Sequence, residues 1–180
     1  MFEKSEIRII YSFWDISQAL SALTFLLDDF DPDKKYTYIE LRRFKCFETT
    51  LIISMARPFE QSRGSTTLSL KKIGVKFNSD KRSLIDKICK LRNKVIAHSD
   101  QDEMHFYLNS FELTKLELVL PNLQFDEFLL LDYNELREIE VILRQLKNSL
   151  SEYIFDLVRE QPEIIDFYKK PKSWGNQKKD

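Results

Sequence analysis

The chain is short of the residues that turn a polypeptide sharply, with three glycines and five prolines in 180 residues. Tight turns and hairpin loops draw on glycine for positive φ, so this scarcity excludes a chain built mainly of hairpins and points to long helices. The two cysteines, Cys46 and Cys89, stand apart, each inside an apolar helical pattern. That placement fits neither a disulfide framework nor a metal pair and reads as small buried thiols in a reducing compartment. No uninterrupted apolar run reaches the ~18 residues of a membrane span. The first residues lack a basic stretch leading into an apolar one, so no secretory signal is expected and the expected location is cytoplasmic. Gly-rich phosphate loops, GxSxG, HExxH and paired CxxC motifs are all missing. The two histidines, His98 and His105, do not make a metal site, and no cofactor or metal is expected.

Charge of one sign is missing overall but not locally. The net charge is −1, yet residues 71–98 hold nine cations against Asp80 and Asp86, and residues 99–163 hold fifteen acids against five bases. Such a split gives a dipolar surface able to steer a polyanion to one side, although a charge run is more often a solvated helix face.

The length favours one domain with a real core. Ile9, Phe13, Ile16, Leu20, Leu23, Leu27 and Phe30 alternate spacings of four and three, which predicts one long helix with a continuous inner stripe. Asp31-Pro32 ends it and is expected to start the second helix. That helix carries Phe44, Phe47, Leu51, Met55 and Phe59 inward, and Pro58 kinks or ends it. Residues 62–78 show no helical period and read as a connection. A third helix is expected from about Ser79 to about Ala97, with Leu84, Ile88, Leu91 and Val95 inward. Phe106–Leu108 and Leu116–Leu120 look like two short strands, the second closed by Pro121. Asp132 and Glu135 form a capping box that opens a fourth long helix with the stripe Leu136, Ile139, Leu143, Leu146, Leu150, Tyr153 and Leu157. The fold class is therefore mainly α. An up-and-down four-helix bundle is expected over residues 1–165, with a short β insertion within 101–131 and a tail at 166–180.

Residues 91–100 (Leu-Arg-Asn-Lys-Val-Ile-Ala-His-Ser-Asp) concentrate phosphate chemistry at the end of the third helix. Arg92 offers a planar fork of donors that matches phosphate oxygens and stays charged. His98 is the residue type that serves as acid or base near neutrality. Asn93 could orient a phosphate or the imidazole. Lys94, with Lys90 and Lys87 upstream, adds positive charge, and Asp100 could hold His98. Six residues on a straight helix turn Arg92 and His98 roughly 120° apart. Either the helix loosens before His98, or a site forms between two copies of the chain. A plain structural reading competes: His98 closing a helix C-terminus, and Arg92 paired with an acid of the fourth helix.

This stretch resembles the signature of the HEPN superfamily, the higher eukaryote and prokaryote nucleotide-binding helical domains. Its motif is Arg, a polar residue, and a His with four to six residues between it and the Arg. The longer form Arg-Asn-Lys-x-x-Ala-His-x-Asp is similar to the AbiU-type abortive-infection branch. The resemblance implies an HEPN-like helical bundle and a metal-independent endoribonuclease acting as a homodimer, in a toxin–antitoxin or antiviral defence role. It assigns Arg92 to the scissile phosphate, Asn93 to its orientation and His98 to acid–base work, with Lys94 and Asp100 supporting. The implied partners are an RNA substrate, a second copy, and a neutralising antitoxin or nucleotidyltransferase. The alternative it leaves open is a non-catalytic HEPN module that binds a protein, a nucleotide or RNA.

Overall fold

A computed structural model describes residues 3–61, 66–96, 106–113, 118–125 and 128–159 of the chain. It is mainly helical: α1 spans Lys4–Asp29, α2 Tyr38–Ala56, α3 Ser79–Leu91 and α4 Tyr133–Val158, with a two-stranded hairpin of β1 (Phe106–Leu113) and β2 (Leu118–Phe125) between α3 and α4. All four helices feed one core. The seams of α1 (Ile9, Ile16, Leu23, Leu26) and α4 (Leu136, Ile139, Leu143, Leu146, Leu150) are its two long walls, each residue at most 1% exposed. Ion pairs fix the direction of packing. Asp29 of α1 meets Arg43 of α2 at 2.7 Å, while Asp15 meets Arg57 at 3.3 Å. As one helix descends the other rises, so α1 and α2 are antiparallel. The α1 N-terminus sits beside the C-terminal part of α4, because Lys72 bonds Ser5 at 2.8 Å and lies over the Tyr153 ring.

The second helix starts later than Asp31-Pro32 suggests. Residues 32–34 form a turn instead, with the Asp31 carboxylate accepting from the Asp33 N–H and the Asp31 carbonyl from the Lys34 N–H. The start belongs to Thr37, whose hydroxyl accepts from the Glu40 N–H while Glu40 accepts from the Thr37 N–H. This reciprocal cap satisfies two N–H groups that a helix leaves open, which a lone proline cannot do. Asp132 and Glu135 form the expected capping box at the start of α4.

The aperiodic connection also contributes more than a link. Leu68, Ile73, Val75 and Phe77 are buried and plug the core beside α3, with Gly74 at φ 70° allowing the tight turn between them. On α3, Ile85 and Ile88 are buried, while Leu84 and Leu91 are half-buried against the core.

The first strand runs past Leu108 to Leu113 and the second past Leu120 to Phe125, while the start expected at Leu116 lies outside the described residues. They pair antiparallel from Phe106↔Phe125 to Leu113↔Leu118, and Pro121 lies inside β2 opposite Ser110 rather than closing it. In a two-stranded hairpin each strand has an open edge, so a proline whose nitrogen points there costs no ladder bond. The Asn109 and Asn122 side chains bond across the pair at 2.9 Å. His98, Asp100, His105 and the tail expected at 166–180 lie outside the described residues, as does the end expected for the domain at 165.

Candidate functional site

The site grows from the point where α2 stops. Pro58 forces the chain into a single 3₁₀ turn, Arg57–Phe59, because its ring cannot enter the α ladder. Arg8 of α1 then clamps this turn, its guanidinium donating to the Arg57 carbonyl and, at 3.5 Å, to the Glu60 carbonyl. Burial lowers the Arg8 pKa from its ordinary value, and the field of Asp15 opposes that shift. Glu60 is thereby delivered to the end of α3 from 32 residues upstream in sequence.

There the ladder changes. The Arg92 N–H is shared between the Ile88 and Cys89 carbonyls, and Arg92–Ile96 continue as a π-helical turn. Bonds of the i→i+5 type widen a helix, and such turns recur at functional sites. The turn ends at Ile96, and His98 lies outside the described residues. On a regular helix the adjacent residues Arg92 and Asn93 would diverge. Here both reach one carboxylate. Asn93 Nδ2 donates to Glu60 Oε1 at 2.6 Å, Arg92 Nη1 stands 3.2 Å from Glu60 Oε2, and Nη1 donates to Asn93 Oδ1 at 2.7 Å. The three groups close a ring in which Glu60 holds the pair side by side.

Both motif side chains keep a route to solvent, the Arg92 side chain at 38% exposure and Asn93 exposed. Among the described residues, Glu60 and Asn93 both engage Arg92 through Nη1. Cys89 sits beneath this cluster. Burial, reinforced by the fields of Glu60 and Asp86, pushes its thiol up to about 11, so it stays protonated and is no nucleophile.

Next to the motif, Lys87, Lys90 and Lys94 form one wall of a cleft of about 280 Å³, faced by Phe128, Leu129 and Leu130. Lys87 is tied to Glu135 of α4 at 2.5 Å. Lys90 and Lys94 add positive charge next to Arg92 in the chain, on the cleft that Phe128, Leu129 and Leu130 also line. The acid that pairs with Arg92 comes from the end of α2, not from α4 as the plain structural reading supposed.

Two residues that shape the site gave no local signal in the sequence. Glu60 is one. The other is Glu48, an acid fully buried on the inner face of α2. Its Oε1 accepts from the Leu130 and Leu131 N–H groups at 2.6 and 2.8 Å, and Lys45 stands 3.0 Å from Oε2. Burial raises its pKa, while Lys45 and the two backbone donors pull it back. Glu48 fixes the strand of chain that forms the apolar wall of the lysine cleft. No family model, curated protein or solved structure matches the chain.

Proposed function

We propose that the chain is a metal-independent endoribonuclease of the HEPN type, its four helices read as an up-and-down HEPN-like bundle. The observation that carries this reading is the Glu60-held pairing of Arg92 and Asn93 at a widened helix end, beside Lys90 and Lys94. Phosphate recognition needs fixed donors, and here two consecutive side chains are aligned before substrate arrives. In the proposed reaction His98 takes the proton of an RNA 2′-hydroxyl, and that oxygen attacks the adjacent phosphorus. Arg92 stabilises the charge on the crowded phosphorane and Asn93 orients its oxygens. Protonated His98 then gives its proton to the 5′-oxygen of the next nucleotide, whose bond to phosphorus breaks, leaving a 2′,3′-cyclic phosphate and a 5′-hydroxyl. A second copy completes the site by bringing its own motif to the same phosphodiester, as the Arg92-to-His98 spacing favours. Asp100 supports His98, and Lys87, Lys90 and Lys94 follow the RNA backbone. The role is that of a toxin or antiviral effector in the cytoplasm, restrained by an antitoxin or nucleotidyltransferase partner.

The ion pair to Glu60 favours one further reading, a non-catalytic module. A carboxylate on Arg92 opposes phosphate binding, so the pair would then be purely structural. Cleavage in EDTA separates the two. The nuclease reading expects RNA to be cut with EDTA present and cutting to be lost in Arg92→Ala and His98→Ala. Binding that weakens steeply with salt but never leads to cleavage would favour the module.

A further inference from the structure

The outward side of α1 is the least expected surface of the molecule. Between Ile9 and Leu27 the helix carries one charged residue, Asp15, and that residue is buried. Solvent instead meets Tyr11, Trp14 and Phe25 at 64, 63 and 55% exposure, with Ile7 at 41%. Phe47 of α2 extends the patch, its ring centroid 5.7 Å from that of Phe25.

These residues are ordered. Lys4, Ile7, Tyr11, Trp14, Gln18, Ser21, Phe25 and Asp28 follow one another at alternating spacings of three and four, and all are exposed. That is a second heptad seam, on the opposite side of α1 from the core seam. The order of its residues identifies the occupant. If a second α1 runs antiparallel so that paired positions add to 32, every seam position meets another seam position. Lys4 then faces Asp28 of the other copy, and Ile7 faces Phe25. Tyr11 faces Ser21 and Trp14 faces Gln18, so each large ring stands opposite a smaller side chain. A parallel pair would instead set Lys4 against Lys4 and Asp28 against Asp28.

We infer that α1 is a self-association surface, joining two copies of this chain antiparallel about a two-fold axis level with Ile16. The contact is isologous, each residue meeting its counterpart twice. Aromatic side chains carry about 150–250 Å² each, and roughly 60% of three rings is still exposed. The rings thus supply roughly 350 Å² per copy, and Ile7, Phe47 and the flanking seam side chains bring the pair towards the ~1,000 Å² that a specific interface needs. This contact is separate from the one that would join two motifs. The seam contains neither Arg92 nor Asn93, which reach α1 only through Glu60 and Arg8.

Sedimentation velocity of the full chain over a micromolar concentration series tests the inference. The wild type sediments as an associated species, and Trp14→Glu shifts it down by one association step while its helical circular dichroism is unchanged. Arg92→Ala leaves this step intact, which separates it from the motif contact. The register is read by a short thiol–thiol cross-linker in a Cys46→Ser background. Tyr11→Cys/Ser21→Cys cross-links between copies, whereas Tyr11→Cys alone does not, its two thiols being about 15 Å apart along the pair. Lys4→Asp weakens association a few-fold and Lys4→Asp/Asp28→Lys restores it. A monomeric wild type, including one whose seam is covered by its own residues 160–180 or that binds vesicles instead, overturns the inference. So does association that Trp14→Glu leaves unchanged, or cross-linking of the Tyr11→Cys single variant.

Discussion

α1 and α4 are twins on the inside and strangers on the outside. Each is 26 residues long, opens with a reciprocal capping box and lends a fully buried seam to the core. Outward, α4 carries charge along its middle turns, although Val141 and, further on, Phe155 are exposed as well. Glu140 takes Arg137 at 3.2 Å and Arg144 at 2.7 Å along the exposed face, and the two arginines hold its carboxyl below the usual range. α1 shows aromatic rings and small neutral side chains in the same place. The inner seams explain the fold equally well on both helices. The outer faces differ most in their middle turns, charged on α4 and without an exposed charge between Ile9 and Leu27 on α1.

Matching truncations of the two seams should have the largest effects and should come out alike. Leu23→Ala on α1 and Leu143→Ala on α4 are each expected to lower unfolding free energy by about 2–5 kcal/mol, through lost burial and the cavity left behind. Urea denaturation measures both. A value near zero for either helix would mean that it is not a wall of the shared core.

Glu48, which anchors the lead-in to α4 and has no counterpart on α1, comes next. Glu48→Leu removes the acceptor of two backbone N–H groups and should cost about 2–4 kcal/mol. Glu48→Gln keeps an amide oxygen for those donors and should cost clearly less. Burial raises the Glu48 pKa above its ordinary 4.5, so the folded chain takes up this proton before the unfolded chain does. The stability it contributes is complete below the ordinary value and is lost as pH rises through the raised one. Thermal unfolding of wild type against Glu48→Gln should therefore show the difference moving in favour of wild type as pH falls through that window. A difference moving the other way would reverse the assignment.

The smallest effects on stability fall on the outer faces, where the comparison is sharpest. Val141→Lys on α4 and Ser21→Lys on α1 should each change unfolding free energy by no more than about 0.5 kcal/mol. Only Ser21→Lys should change the sedimentation coefficient. At the motif, Glu60→Gln should raise RNA affinity a few-fold in a filter-binding titration, since a carboxylate no longer competes for Arg92. Unchanged affinity would place Arg92 outside the RNA path.

What the sequence reveals here follows the range of the forces involved. The seams of α1 and α4 are legible because spacings of three and four residues are a local geometric demand. The Asp132–Glu135 cap is legible for the same reason. Thr37–Glu40 is equally local, but Asp31-Pro32 is a stronger boundary signal and draws the helix start to itself. Ile142, buried on α4, and Ile85, buried on α3, broaden stripes that heptad spacing alone draws too narrow. Glu60, Glu48 and Arg8 are illegible because their partners lie tens of residues away and each looks like a surface charge. The widened turn at Arg92–Ile96 had no signal of its own, since the sequence states only that Arg92 and His98 cannot share one face of a regular helix and leaves a loosened helix and a second copy as equal answers.

The most direct test of the proposed chemistry is the end groups left on RNA cut by the full chain in EDTA. Attack by the 2′-hydroxyl, aided by Arg92, Asn93 and His98, predicts 2′,3′-cyclic phosphate and 5′-hydroxyl ends, with product lost in a folded Arg92→Ala variant. Intact RNA, 3′-hydroxyl and 5′-phosphate ends, or cleavage that survives Arg92→Ala would contradict it.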